Sequence, residues 1–255
     1  MFSYCLRPQV LLSFSSWVEK WKDRLYHDFV AGGRYNYLLK GLWMTLRITF
    51  FALLLGIALG VVVAIIRSTH DKASAEMRPG FGKFILKFLN LIAKLYLTTI
   101  RGTPVVVQLM ITYYVIFKSS TNAMLVAVLA FGINSGAYVA EIIRSGIMSI
   151  DNGQFEAGRS LGLNYIQTMI YIIIPQAIKN ILPALANEFI VLIKETSVSG
   201  YVGISELTRG GDIIRSRTFD AFPPLFAVAG IYLIIVIFFS KMVSILERRL
   251  RNSER

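Results

Sequence analysis

The stretch that decides the fold is residues 48–66, which read ITFFALLLGIALGVVVAII and carry no charge. Crossing the hydrocarbon layer of about 30 Å takes roughly 20 helical residues. Because lipid offers no hydrogen-bond partner to bare backbone groups, an uncharged run of this length predicts a transmembrane helix. Trp43, just ahead of the run, is typical of a membrane interface.

Four further segments predict an all-α integral membrane protein with five transmembrane helices. They are, in chain order, residues 104–117, 119–140, 180–193 and 222–240. The first of these is apolar but short for a span. The third is apolar except for Asn187 and Glu188, and the other two are uncharged throughout.

Residues 160–178 compete for the place of a sixth span, because they too are uncharged. They contain Gly162, Asn164 and Pro175, however, together with two glutamines. These residues favour a helix that lies on the membrane surface and leads into the fourth span.

The composition excludes several other classes of protein. The chain has 255 residues, 55% of them hydrophobic and 16% charged, whereas soluble domains are about a quarter charged. So apolar a chain does not stay disordered in water. Cys5 is the only cysteine and His27 and His70 the only histidines, so neither a disulfide scaffold nor a His/Cys metal site is expected.

The 27 cations outnumber the 15 acids, but they are scattered among the segments between spans, which does not suggest a nucleic-acid partner. With five spans, an outside N-terminus places 15 cations inside and 11 outside, which favours a cytoplasmic C-terminus. We expect three parts: an N-terminal interfacial extension (residues 1–35) with Trp17 and Trp21, a transmembrane domain (36–250), and a cytoplasmic tail (251–255).

The connection between the third and fourth spans contains a short helix. Asp151 and Gln154 fit an N-terminal capping box, and Gly162 is a natural helix stop. A helix of about ten residues is not stable alone in water, so something must hold it. Bare backbone at Ala157, Gly158 and Gly162, and apolar side chains at Phe155 and Leu161, suit contact with another protein. A plain amphipathic connector on the membrane surface is the alternative.

The same connection resembles the EAA signature of the membrane subunits of ATP-binding-cassette importers. Glu156-Ala157-Gly158 is followed after three residues by Gly162, and after nine more by Ile172-Ile-Ile-Pro175. Gly158 and Ile174 stand where the usual pattern has Ala and Leu. Other segments resemble the polar-amino-acid (histidine/glutamine permease) branch of that family: GLWMTL at 41–46, RGTPVVVQL at 101–109, AYVAEIIR at 137–144, LPALANEF at 182–189 and KETS at 194–197.

The resemblance covers residues 36–250 and implies a permease subunit of a bacterial plasma membrane importer that works by alternating access. It implies that the 154–175 loop docks on cytoplasmic ATPase subunits, which carry ATP and Mg. The residues it assigns to ATPase coupling are Gln154, Phe155, Glu156, Ala157, Gly158, Leu161 and Gly162. Further implied partners are a second permease subunit, identical or related, an extracytoplasmic substrate-binding protein or domain, membrane lipid and the amino acid. No Gly-x-x-x-x-Gly-Lys-Ser/Thr element is present, so we expect no cofactor in this chain.

Polar groups at membrane depth are candidates for the substrate pathway, since they normally face an aqueous path or a bundle interior. Glu188 and Asn187 lie five and four residues after Pro183, and broken helices line substrate sites in transporters. Glu188 would complement an ammonium group. It could instead pair with a cation of a partner subunit or lie near the outer water interface.

Tyr138, Glu141 and Arg144 share one face of the third span. An ion pair between Glu141 and Arg144 is the expected structural role, and a part in an inner gate is the alternative. Gln108 is a further pathway candidate.

Thr103 and Pro104 suit a helix start, and Gly102 permits a bend before it. The second span therefore either begins below the bilayer boundary or continues from residues 95–100 through the bend. We expect residues 194–221 to form an outer gate facing the binding protein, with Ser205 capping a short helix.

Two other classes of function remain as alternatives, a passive channel and a membrane-embedded enzyme. We predict no catalytic residues, because the sequence shows neither an HExxH motif nor a Ser/His/Asp grouping. ATP-dependent uptake would separate transport from both alternatives.

Overall fold

The computed structural model describes residues 8–74 and 77–252, and this part of the chain folds into helices joined by turns and short irregular segments. Its α-helices are α1 (Pro8–Leu25), α2 (Tyr35–Ala73), α3 (Phe81–Arg101), α4 (Val105–Ile111), α5 (Ala123–Met148), α6 (Asn152–Ser160), α7 (Tyr165–Thr168), α8 (Ile174–Glu195), α9 (Leu207–Thr218) and α10 (Phe222–Asn252). Wider π-helical turns follow α1, α4 and α7, and a 3-10 helix, Thr196–Val202, follows α8.

Four helical stretches among these residues are long and apolar enough to cross a membrane: Tyr35–Lys72, Ala123–Met148, Tyr165–Val202 and Phe222–Leu250. They contain the predicted first, fourth and fifth spans, and the predicted third span from residue 123 onward. Val105–Ile116 is a shorter apolar helix at the place of the predicted second span. The all-α membrane fold is thus confirmed.

The helices α3 and α4 are separated by a break at residues 102–104. Residues 81–116 hydrogen-bond to α2, α5 and the segment after α8. The Asn90 side chain accepts a hydrogen bond from Arg67 at 3.0 Å, and the Tyr96 hydroxyl donates to the Ile133 carbonyl at 2.6 Å. Further on, the Tyr114 hydroxyl donates to the Tyr201 carbonyl at 3.1 Å. α3 and α4 therefore follow one another along the bundle through the bend, and the continuation of the second span from α3 stays a prediction.

Residues 160–178 lead into the fourth span, as predicted, and their position on the membrane surface stays a prediction. From residue 165 they belong to one continuous helix, Tyr165–Val202, which also contains the fourth span. Pro175 is the second residue of α8 and directly follows the π-helical turn Met169–Ile173, which joins α7 to α8. The widened turn is where the continuous helix accommodates the missing N–H of the proline. At 1.5 Å per residue the helix is about 57 Å long, so it extends beyond the hydrocarbon layer.

The centre of the bundle is the contact between α2 and α5, which small residues make close. A Cβ at Gly60 would lie 2.5 Å from Cγ1 of Val139, and a Cβ at Gly132 would lie 2.6 Å from Cδ2 of Leu55. Membrane helices pack this closely where glycine lets two backbones approach. This contact fixes α5, which carries most of the polar side chains at membrane depth.

The first membrane helix, α2, reaches both ends of the bundle. Near its start, Thr45 Oγ1 accepts a hydrogen bond from the Leu207 amide of α9 at 3.2 Å. Near its finish, Lys72 Nζ donates to Asn152 Oδ1 of α6 at 2.7 Å. We call these the α9 end and the α6 end.

The N-terminal helix α1 lies at the α9 end. Arg24 pairs with the Asp220 carboxylate, with one Nη2–Oδ1 distance of 2.6 Å, and this pairing lowers the pKa of Asp220. The Trp21 ring packs edge-on against Phe222 at the start of α10, with 5.6 Å between ring centroids. Residues 1–7 of the expected extension and residues 253–255 of the expected tail lie outside the described part.

The cap of α9 differs from the expectation that named Ser205. The capping side chain is Glu206, which is fully buried and accepts hydrogen bonds from the Thr208 and Arg209 amides at 2.6 and 2.7 Å. Burial nevertheless raises the pKa of Glu206 above its usual range. The carboxylate sits one residue later than expected because the helix itself begins at Leu207.

Candidate functional site: the α6 helix and the polar groups of the spans

The α6 helix is a short element with well-defined ends. Asp151 Oδ1 accepts a hydrogen bond from the Gly153 amide at 2.6 Å, and Gly162 takes the left-handed conformation, with φ of 78°. The predicted reciprocal bond from Gln154 is not formed, because the Gln154 side chain instead accepts from Gln176 at 3.3 Å. The full capping box lies one helix later, between Asn164 and Gln167.

Two of the predicted coupling residues face the interior of this chain. Phe155 is 7% exposed and packs in a cluster with Ile147, Ile173 and other apolar side chains. A Cβ at Gly158 would lie 2.6 Å from Cγ2 of Thr168 in α7. The interpretation that Gly158 leaves its backbone bare for another protein is therefore wrong: α7 already covers it.

The remaining predicted coupling residues are on the surface. Leu161 is 75% exposed, and Gln154, Glu156, Ala157 and Gly162 are also exposed. Beside them lies a cavity of about 360 Å³, lined by Lys72, Asn152, Phe155, Glu156, Arg159, Leu163, Asn164, Tyr165 and Thr168. The helix thus has one face anchored in the bundle and one face available for a partner.

Lys72 attaches the α6 helix to the first membrane helix. Besides its hydrogen bond to Asn152, its Nζ lies 4.6 Å from the centroid of the Phe155 ring. A cation at this distance over an aromatic face is attracted by the ring. A displacement of α6 would therefore also move the end of α2.

Glu188 is buried between α8 and α5. It is 6% exposed, and its Oε1 accepts a hydrogen bond from Ser135 Oγ at 2.8 Å. Its neighbour Asn187 is exposed on another face of α8. No hydrogen bond or ion pair among the described residues joins Glu188 to Tyr138 or Glu141.

Gln108 holds the break in the second span together. Its Nε2 donates to the carbonyls of Ile100 at 2.7 Å and Thr103 at 3.1 Å, and its Oε1 accepts from Asn134 Nδ2 at 2.9 Å. The bond from Asn134 is a helix-to-helix hydrogen bond between α5 and α4. Thr103 does not cap α4, since its hydroxyl donates back to the Thr99 carbonyl and Pro104 holds the capping position.

Tyr138 and Glu141 both lie close to Arg101, which the sequence interpretation did not name as a site residue. Its Cζ lies 5.7 Å from the Tyr138 ring centroid, and its Nη1 lies 3.9 Å from Glu141 Oε1. The expected Glu141–Arg144 ion pair is equally long, at 3.9 Å. Arg144 is held more tightly by Asp71, at 2.8 Å. The one feature of the sequence that could have pointed to Arg101 is the position of its charge, directly before the 102–104 break.

These features are typical of a multi-pass transport subunit. Its spans carry polar side chains at membrane depth, and one is broken, as is common around transported ligands. Outside the spans it presents a short helix with a free face.

Comparison with known proteins identifies the family. The model of the family described as binding-protein-dependent transport system inner membrane component matches residues 80–252. The glutamine transport system permease proteins GlnP of Escherichia coli K12 and of Shigella flexneri are each 37% identical over 218 residues, which is 84% of this chain and 93% of theirs.

Two solved structures agree with this match. The crystal structure of an amino acid ABC transporter with histidines is 42% identical, with a TM-score of 0.76, and the match covers 87% of this chain and 98% of that one. An inward-facing MetNI methionine ABC transporter, 20% identical over 84% of this chain and 95% of that one, has a TM-score of 0.69 and shows the shared fold alone.

The chain therefore belongs to the family of binding-protein-dependent transport system inner membrane components. The resemblance to permease subunits of ATP-binding-cassette importers is confirmed, and with it a multi-pass location in the inner membrane. Members of this family are permeases and not enzymes, because a separate subunit hydrolyses ATP. That membership sets aside the channel and the membrane-embedded enzyme.

Proposed function

We propose that this chain is the permease subunit of an ATP-driven importer for polar amino acids that works by alternating access. The observation that carries the proposal is the two-faced α6 helix, in a chain whose 37% identical relative is a glutamine permease. A rigidly anchored helix with an exposed face transmits movement from a partner into the spans. Two such permease subunits, identical or related, pair around the path.

The exposed face of α6, with Glu156, Ala157 and Leu161, docks on a cytoplasmic ATPase subunit that carries ATP and Mg. The buried face, with Phe155 and Gly158, passes the movement on. Phe155 packs against α5 and α8, and Lys72 links it to α2. Closure of two ATPase subunits would thus shift several spans together.

The α9 end faces outward in this arrangement, and there a substrate-binding protein or domain delivers the amino acid. The N-terminal helix α1 lies at that end because Arg24 pairs with Asp220. In this proposal α1 therefore lies outside. The long helix α10 carries the C-terminus to the opposite, cytoplasmic side.

The path itself follows the face of α5 that carries Asn134, Tyr138 and Glu141. Glu188 supports that helix from behind through Ser135. Gln108 acts at the path by holding the broken span in shape.

Substitutions on the exposed face of α6 and at the turn that follows it test the coupling of ATP hydrolysis to uptake. Glu156→Lys, or Gly162→Val at its left-handed turn, is expected to leave the fold intact and uncouple hydrolysis from uptake. Uptake and ATPase stimulation are measured in vesicles containing the complete importer. Glu19→Lys, an exposed acid on α1, is the control. Wild-type uptake and ATPase stimulation in both α6 variants would refute the docking role.

A further inference from the structure

At the break in the second span, Arg101 is a cation with no hydrogen-bonded partner among residues 8–74 and 77–252. It is the last residue of α3, its side chain is 45% exposed, and it donates no hydrogen bond to any described residue. Its nearest acid is Glu141, 3.9 Å away, and its guanidinium lies against the Tyr138 ring. All five N–H donors of the guanidinium are therefore available.

The guanidinium lies well inside the length of the membrane helix α5. α5 has 26 residues, so it is about 39 Å long, and Tyr138 lies about 15 Å from its end at Met148. A charge at this depth is costly against lipid, so it faces a watery path or another protein surface. The guanidinium lies beside Tyr138 and Glu141, so Arg101 lies at the face of α5 that carries the proposed path.

The other arginines that contact α3 or α5 do not share this property. Arg144 is paired with Asp71 at 2.8 Å, and Arg67 donates to Asn90 at 3.0 Å. The backbone carbonyls freed by the break are no competing acceptors, because Gln108 already occupies those of Ile100 and Thr103. Arg101 is the group at the break whose donors remain unused by the described residues.

We propose that Arg101 binds the α-carboxylate of the transported amino acid, with Glu141 beside it to receive the α-ammonium. A guanidinium matches a carboxylate with two parallel hydrogen bonds. When the amino acid binds, Arg101 and Glu141 would give up their loose contact with each other, and each would pair with the opposite charge of the zwitterion. The net charge of the site therefore stays unchanged. This assignment rests on the function proposed above.

The test compares a carboxylate with its carboxamide. Binding of L-glutamine and of L-glutaminamide is measured on the purified permease–ATPase complex without binding protein, for the wild type, Arg101→Gln and Arg101→Lys. If the wild type takes up another of the twenty amino acids faster, that amino acid and its carboxamide replace them. Lys94→Gln, which removes an exposed cation from the same helix, is the matched control.

We expect Arg101→Gln to weaken glutamine binding by about tenfold to a hundredfold and glutaminamide binding hardly at all, as for loss of a charged hydrogen bond. Arg101→Lys should fall between, and Lys94→Gln should match the wild type. Equal losses for both ligands, or full binding restored in the double variant Arg101→Gln/Glu141→Gln, would show a purely structural ion pair. Separation of the permease subunits in Arg101→Gln would assign the residue to the subunit interface instead.

Any one of those three results overturns the assignment of Arg101, and the proposed function stands as long as the wild type takes up an amino acid. Failure of the wild type to accumulate any of the twenty amino acids with ATP would instead remove the proposed function as well.

Discussion

At the scale of single residues, Glu188 shows how burial changes an interpretation. Its position inside a span predicts a role in the substrate pathway. In the structure its carboxylate accepts a hydrogen bond from Ser135, on another helix. A carboxylate this enclosed is placed to hold α8 against α5. Substrate contact by Glu188 remains a prediction from the sequence.

Two substitutions at Glu188 separate these roles. Glu188→Gln keeps an oxygen that accepts the Ser135 hydrogen bond, so we expect uptake close to wild type. Glu188→Ala leaves that hydroxyl without a partner beside a cavity and should cost about 1–3 kcal/mol of stability. Thermal unfolding and uptake of both variants are measured together. Loss of uptake in Glu188→Gln at unchanged thermal stability would speak for direct substrate contact.

The residue scale also shows the limit of sequence reasoning about the site. Polarity inside an apolar run located Glu188, Gln108 and Glu141 at membrane depth. It could not name Ser135 or Arg101 as their neighbours, because those contacts join positions tens of residues apart. The local spacing therefore predicted an ion pair between Glu141 and Arg144. In the structure Arg144 forms its shorter ion pair with Asp71 of α2.

At the scale of elements, the contact between α6 and α7 explains the departure of Gly158 from the usual alanine. Thr168 fills the space that a Cβ would need. The sequence predicted the extent of α6 well, because its caps are local. It could not predict which face turns inward, since α7 and α8 decide that.

Gly158→Ala is expected to push α6 away from α7, because its Cβ would lie 2.6 Å from Cγ2 of Thr168. More ATP should then be hydrolysed per amino acid taken up. Thr168→Ala in the same chain removes the clashing Cγ2 and Oγ1 and should restore most of the coupling. Gly230→Ala, in α10 with open space around it, is the matched control. Normal coupling in Gly158→Ala alone would contradict this account of the α6–α7 contact.

At the scale of the whole molecule, hydropathy predicted the membrane class and the placement of the long spans. Hydropathy underestimated the length of the helices, because α2, α8 and α10 continue past their apolar runs into charged segments. The second span was the hardest to predict, since α3 carries lysines and α4 is short.

The orientation can be tested with the single native cysteine removed as Cys5→Ser. A cysteine introduced at Glu19 of α1 should react with a membrane-impermeant maleimide in cells whose outer membrane has been opened. One introduced at Arg249 of α10 should react only after the inner membrane is permeabilised. The reverse pattern would place the α9 end in the cytoplasm and contradict the proposed N-out, C-in topology.

The central claim is that this chain forms the path of an ATP-driven amino acid importer. The most direct measurement is the internal amino acid concentration in vesicles that hold the permease, its ATPase and its binding protein, with and without ATP. The account predicts accumulation above the external concentration only when ATP is present. Equilibration to the external concentration without ATP would contradict it and indicate a passive path.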